Sequence, residues 1–168
     1  MTDPILKDLF ARSAALLEAA KGAGVTIGVA ESCTGGLLGA AITAMPGSSA
    51  VFEGGVLTYS NRLKTELLGV PLATLEAHGA VSEQTAEAMA AGARDRLGVD
   101  IALSITGVAG PGGGSADKPV GTVCFGLASA QGVISQRKLF EGHSRNRVRD
   151  HAVLHALTLL TETARGLG

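Results

Sequence analysis

Val25-Thr26-Ile27-Gly28-Val29-Ala30-Glu31-Ser32-Cys33-Thr34-Gly35-Gly36-Leu37-Leu38 is the stretch that decides how this chain folds. The short apolar run from Val25 to Ala30 is the pattern of a buried strand. From Leu37 to Met45 the residues are small and apolar, the pattern of a closely packed helix. Between them stand a hydroxyl, a thiol and two glycines, at the carboxyl end of the strand. In open α/β sheets that is where ligands bind. Backbone N–H groups at such a helix start can also hold an anion or a developing oxyanion. Ser32 is therefore a candidate nucleophile. The plainer reading is a tight turn, with Thr34 as the helix N-cap and the glycines there for packing.

The rest of the chain repeats the alternation. Asp3-Pro4 opens a helix carrying Leu6, Leu9, Phe10, Ala14, Leu16 and Leu17 at helical spacing, which ends near Gly22 and Gly24. Pro46-Gly47-Ser48-Ser49 is a turn, and Phe52 to Tyr59 a second strand. Ser60 or Asn61 caps a short helix with Leu63, Leu67 and Leu68, closed at Gly69 and Pro71. Pro71 to Gly79 reads as a short helical or irregular link, and Ser82 starts a helix over Glu83 to Leu97. Asp100 to Ile105 is a third buried strand. Val120 to Ala130 and Val133 to Phe140 are two more, joined by a hairpin at Gln131-Gly132. Ser144 starts a last helix that runs to about Ala164. Strands alternating with helices, then a late antiparallel hairpin, predict a three-layer α/β/α sandwich with a mixed, mainly parallel sheet. No repeat or linker divides residues 1–168, so one domain is expected.

Composition narrows the function classes. The chain is 46% hydrophobic but only 3% aromatic, with 24 glycines, so its core depends on close backbone approach. A net charge of −1 offers no basic field for nucleic acid. No run reaches the roughly 18 apolar residues of a membrane span, and the N-terminus lacks the features of a leader. Cys33 and Cys124 fit neither metal nor disulfide spacing and read as reduced thiols of a cytoplasmic protein.

Four segments can converge on one cleft. The first is Glu31 to Gly36, where Ser32 and Cys33 compete as nucleophile. Neighbouring strand residues point to opposite sides, so only one of the two faces the cleft. Glu31 reads as an acceptor behind the nucleophile. The second is Thr58-Tyr59-Ser60-Asn61-Arg62-Leu63-Lys64. Lys64 shares a helix face with Leu67 and Leu68 and sits near the positive end of the helix. Burial and that dipole both lower its pKa, and a lysine of that kind can take a serine's proton. The alternative is a lysine whose stem lies on Leu67 and whose head reaches water. The third is Thr106-Gly107-Val108-Ala109-Gly110-Pro111-Gly112-Gly113-Gly114, neither a dinucleotide fingerprint nor a P-loop. Its first glycines can bring backbone N–H groups to a ligand, Thr106 can face the cleft, and Gly112 to Ser115 read as a surface loop. The fourth is Gly142-His143-Ser144-Arg145-Asn146-Arg147-Val148-Arg149, where a capped helix start and guanidinium groups suit a carboxylate or phosphate. Arg149 aligns with Val153, Ala156 and Leu160 and leans inward. A solvated charge run is the alternative. His151 and His155, spaced i, i+4, align with Thr158 and Glu162 and read as a solvated face rather than metal ligands.

Together these segments resemble the C-terminal domain family of the competence-damage protein CinA, whose enzymatically defined members are nicotinamide-nucleotide amidases. The matching stretches are Ala30 to Leu38, Gly55 to Asn61, Leu67 to Val70, His78 to Glu83, Ile105 to Gly114 and Lys118 to Val123. The resemblance runs from about Leu9 to Leu160. It implies hydrolysis of nicotinamide mononucleotide to nicotinic acid mononucleotide and ammonia, with no cofactor and no metal. The family's nucleophilic serine falls on Ser32, its lysine on Lys64, its site threonine on Thr106 and its tyrosine on Tyr59. Its arginine falls on Arg145 or Arg149, because the family's Gly-Asp-Arg is here Gly142-His143-Ser144-Arg145. Glu31, Cys33, Thr34, Gly35, Gly36, Asn61, Gly107, Ala109 and Gly110 complete the expected substrate-binding set. The expected partners are that small-molecule substrate and further copies of the chain in a homo-oligomer, with no nucleic acid and no membrane. The competing expectation is a module that binds a pyridine nucleotide without turning it over. The two differ in whether Ser32 and Lys64 lie within hydrogen-bond reach.

Overall fold

The computed structural model describes residues 3–168; Met1 and Thr2, read above for a leader, lie outside them. The chain runs α1 (Pro4–Ala23), β1 (Ile27–Glu31), α2 (Leu37–Thr43), a 3-10 turn (Ser48–Ala50), β2 (Phe52–Leu57), α3 (Asn61–Leu68), α4 (Leu72–His78), α5 (Glu83–Leu97), β3 (Ile101–Gly107), β4 (Thr122–Ser129), β5 (Gly132–Leu139) and α6 (Arg145–Leu167). The strands form one five-stranded sheet in the order β2-β1-β3-β4-β5. β1 pairs parallel with β2 and β3, and β4 pairs antiparallel with β3 and β5, so only β4 runs against the rest. This is the expected three-layer α/β/α sandwich with a mixed, mainly parallel sheet. No helix among the described residues is long and apolar enough to cross a membrane.

Local chemistry sets the boundaries. Asp3 caps α1, its carboxylate accepting from Ile5 N–H at 3.0 Å, with Pro4 in the first turn. Ser60, Ser82 and Ser144 cap α3, α5 and α6 in the same way. β1 begins two residues later than expected, because Thr26 N–H and Oγ1 both turn to the Asp100 carboxylate at 2.8 Å. β2 ends at Leu57 rather than Tyr59, because the Thr58 carbonyl turns to Lys64. β4 starts at Thr122 rather than Val120, since Gly121 (φ 96°) hydrogen-bonds back to Val108 at 2.8 Å. The Pro71–Gly79 link is a true helix, α4, that buries Leu75.

Each sheet face has its own core. Under α1, α2 and α6 lie Leu16, Ile27, Val29, Leu38, Ile105, Phe125, Leu157 and Leu160. Under α3, α4 and α5 lie Ala30, Leu68, Val70, Leu75, Met89, Ala93 and Ala102. With so few rings, α5 lies almost on the backbone of the sheet. A Cβ at Gly126 would stand 2.1 Å from Ala86 O. Ser104 Oγ donates to that same carbonyl at 2.6 Å and accepts from Gly126 N–H at 3.2 Å, stitching α5 to β3 and β4. The carboxyl ends of β1, β2 and β3 thus emerge side by side beneath the start of α3 and the α4–α5 connection.

Candidate active site

Ser32 follows β1 directly and keeps its ladder bond, its N–H donating to Ile105 O at 3.0 Å. Strand alternation aims its side chain at the α3–α5 layer, as it does Ala30. Lys64 comes down from the second turn of α3, and its Nζ lies 3.1 Å from Ser32 Oγ. The ammonium stem is 1% exposed and Ser32 is 8% exposed. Nζ also donates to Thr58 O at 2.8 Å, and no carboxylate completes its set of partners among the described residues. Burial pulls the Lys64 pKa below the ordinary lysine value, only slightly opposed by Cys33. A neutral amine suits this cage: one N–H serves Thr58 O and the lone pair can accept the Ser32 proton. The snorkelling alternative for Lys64 is not what the structure shows.

Cys33 points the other way. It is packed in the α1–α2–α6 core, and burial pushes its thiol up to about 12, so it is protonated and inert at neutral pH.

Glu31 changes the meaning of the turn. Its buried carboxylate accepts from Gly36 N–H and Leu38 N–H at 3.1 Å and from Gly39 N–H at 2.8 Å. The first turn of α2 is therefore capped from within the chain, and Glu31 cannot also face a substrate. Thr34 is not the cap: Gly36, at φ 93°, occupies that position, and the buried Thr34 hydroxyl has no partner among the described residues. Gly35 N–H is spent on Ser32 O at 3.0 Å. Of the turn's amides, those of Cys33 and Thr34 alone, among the described residues, have no acceptor. Of the expected donors around Cys33 to Gly36, the Gly35 and Gly36 N–H groups are thus engaged within the turn.

Thr106 stands across from Ser32 on β3, fully buried, and its Oγ1 donates to Ala80 O at 2.8 Å. Its proton is committed to that carbonyl, so it joins the cleft as a wall rather than as an oxyanion donor. Gly107 ends β3 where a Cβ would stand 2.9 Å from Thr122 O, and Ala109 is buried in the α6-side core. Neither side chain position offers a ligand contact.

Three segments meet at the rim. Arg145 donates to Gly110 O at 2.7 Å and to the Tyr59 hydroxyl at 3.1 Å, tying the start of α6 to the glycine-rich loop and the β2–α3 connection. Arg149 leans inward as its alignment predicts, donating to Thr34 O at 2.9 Å, with its Nε buried and without a partner among the described residues. Arg147 turns outward to Asp3 and Asp150. Asn61 does not join this group; it lines an apolar groove of about 420 Å³ with Leu72 and Leu75. His151 and His155 are not on a solvated face: His151 stacks on Phe140 and contacts His143, while His155 meets Phe125 edge-on and Gln136 at 3.1 Å.

Sequence reasoning missed two backbone groups that shape the cleft, Thr58 O and Ala80 O. No side-chain pattern carries a signal for a carbonyl. The capping role of Glu31 did have one: an acidic residue just before a Gly-Gly helix start whose own cap positions lack a free side-chain acceptor.

The family model described as the CinA C-terminal domain matches residues 10–164. A CinA-like protein of Mycolicibacterium gilvum is 50% identical over 171 residues, covering 100% of this chain but 40% of its own length. A CinA-like protein of a Synechococcus species is 54% identical, covering 82% of this chain and 33% of its own. This chain thus spans two fifths or less of these curated relatives. Among solved structures, the competence/damage inducible protein CihA from Agrobacterium tumefaciens superposes with a TM-score of 0.88 at 41% identity, covering 91% of this chain and 93% of its own. A CinA superfamily protein from Klebsiella pneumoniae gives 0.89 at 35% identity, with 94% and 98% covered.

Proposed function

The chain belongs to the CinA C-terminal domain family, and from that premise we propose that it is an amidohydrolase that converts nicotinamide mononucleotide to nicotinic acid mononucleotide and ammonia in NAD salvage, in the cytoplasm. The observation that carries the reading is the 3.1 Å approach of Lys64 Nζ to Ser32 Oγ inside a cage that holds no carboxylate among the described residues. A module that only binds a nucleotide has no use for a lysine buried against a serine with its pKa lowered by burial, since burying that amine destabilises the fold.

In this reading the Ser32 oxygen attacks the carboxamide carbon while Lys64 takes its proton. The oxyanion of the tetrahedral intermediate is met by the N–H groups of Cys33 and Thr34. One such donor is worth about 3–4 kcal/mol of transition-state stabilisation in a comparable enzyme. The Lys64 ammonium, held by Thr58 O, returns a proton to the nitrogen as the C–N bond breaks, and ammonia leaves. Water then attacks the acyl-enzyme with Lys64 again as base, releasing the carboxylate and restoring Ser32. Arg145, which holds Gly110 O and the Tyr59 hydroxyl on the rim, takes the phosphate in this reading, and Arg149 holds the Thr34 end of the oxyanion turn. Residues 1–168 act as one domain, as copies in a homo-oligomer.

The test is ammonia release from nicotinamide mononucleotide by the purified chain, followed beside Ser32→Ala. Turnover that Ser32→Ala removes supports the reading. No turnover by the wild type, with nucleotide binding intact, identifies the binding module instead.

A further inference from the structure

On the same face of the sheet, the register places Cys124 opposite Thr106 and Arg137 opposite Cys124. The row Ser32, Thr106, Cys124, Arg137 therefore crosses four adjacent strands in steps of about 4.8 Å. Its far end opens into a second cavity of about 370 Å³, whose walls include Ser82, Glu83, Gln84, Lys118, Cys124 and Arg137. That volume falls in the range that holds small ligands.

The charges there are arranged and left over. Lys118 Nζ is tethered to His78 O at 2.6 Å, and the Arg137 guanidinium to Asp117 O, so both heads are held in place by neutral carbonyls. Neither has a carboxylate partner among the described residues, and each retains donors. The main-chain N–H groups of Glu83 and Gln84, in the first turn of α5, find no acceptor among the described residues, since Ser82 Oγ takes Thr85 N–H instead. Cys124, 1% exposed, lines the floor with a thiol that has no hydrogen-bond partner among the described residues. Glu83 is the one acid in the lining, and its carboxylate turns toward Ser135 Oγ at 3.5 Å.

We propose that this cavity is a second ligand site, separate from the Ser32 cleft, that takes the phosphate group of a small phosphomonoester between Lys118, Arg137 and the free amides of Glu83 and Gln84. A point charge, a guanidinium fork and two main-chain donors together match a tetrahedral oxyanion better than a planar carboxylate. The volume leaves room for the organic part of the ligand. The proposal stands whether or not Ser32 hydrolyses an amide. Ala80, in the α4–α5 connection beside the cavity, accepts the Thr106 hydroxyl of the Ser32 cleft.

The test is a titration of the 15N-labelled full chain with inorganic phosphate, ribose 5-phosphate and acetate at constant ionic strength. Phosphate and ribose 5-phosphate should shift the amides of Glu83 and Gln84 saturably, while acetate does not. Lys118→Gln with Arg137→Gln should weaken that binding by about tenfold or more, the loss that removing one charge-assisted bond carries. Arg137→Gln alone, at an exposed residue, should weaken it by a similar factor if the double variant does not fold. Arg145→Ala should leave it unchanged. Shifts confined to the start of α6, equal shifts with acetate, or binding indifferent to Arg137 would each overturn the proposal.

Discussion

Lys64 and Ser32 are 32 residues apart in the chain, and their side chains meet at 3.1 Å in a space that, among the described residues, neither shares with a carboxylate. A lysine paired with an acid is a structural ion pair. A lysine held between a serine oxygen and a main-chain carbonyl is poised to exchange a proton.

Ser32→Ala should abolish ammonia release and leave folding and nucleotide binding near wild type. Cys33→Ala should keep most of the activity, because that thiol is protonated and faces the opposite core. Activity assays on both variants decide it; the reverse pattern would move the nucleophile to Cys33.

Lys64→Arg should be nearly as inactive as Lys64→Ala, since a guanidinium stays protonated at any working pH. In the wild type, kcat/KM should climb with pH as Lys64 loses its proton, with a midpoint below the ordinary lysine value of about 10.4. A flat profile, or a Lys64→Arg variant that retains most of its kcat, would remove the base.

Lys64→Met should raise thermal stability at neutral pH. The folded-state pKa is depressed, so the unfolded chain binds the proton more readily than the folded one. The wild type is therefore penalised at low pH, and its stability recovers as pH rises from the folded-state pKa toward about 10.4. The gain in Tm of Lys64→Met over wild type should shrink across that window. Melting curves at several pH values check the sign; a gain that grows with pH contradicts it.

Arg145→Ala and Arg149→Ala should separate. Arg145, on the rim with Tyr59, should weaken binding of the nucleotide by roughly 10- to 150-fold and spare nicotinamide riboside. Arg149 props Thr34 O at 2.9 Å beside Ser32, so its loss should lower kcat on both substrates alike. Equal losses on both substrates in the Arg145 variant would show that it does not read the phosphate.

Glu31→Ala should destabilise the fold by about 1–3 kcal/mol, the range for losing a charged cap, because three amides of α2 lose their acceptor. Glu31→Gln keeps a carbonyl oxygen and should lose less. Urea unfolding of the two variants beside wild type ranks them; equal midpoints for the two would mean that the retained carbonyl oxygen caps nothing.

The strand-to-helix junction at Ser32, the alternation of elements and the late hairpin were all legible, because each depends on local periodicity and on Gly, Pro and Ser at its ends. The burial of Lys64 was legible too, from its spacing to Leu68, although Leu67, counted on the same face, is exposed. What pairs with it was not: Thr58 O belongs to a residue whose side chain says nothing about where its carbonyl turns. The same holds for Thr106, whose hydroxyl looked free for the cleft until Ala80 O claimed it. His151 and His155 misled for a related reason. A polar stripe on a helix predicts solvent only if no ring lies across from it, and Phe140 and Phe125 do. Boundaries moved where one side chain outbid the ladder, as Asp100 did at Thr26.

The scarcity of rings has an optical consequence. The chain has no tryptophan and one tyrosine, and that tyrosine is Tyr59, hydrogen-bonded to Arg145 where the cleft meets solvent. Nearly all of the protein's near-ultraviolet emission therefore originates at the mouth of the site. An aromatic ring entering the cleft, or an anion drawing Arg145 away from the phenol, changes the only bright reporter present. Binding can be followed in the unlabelled protein, without a dye and without an added chromophore.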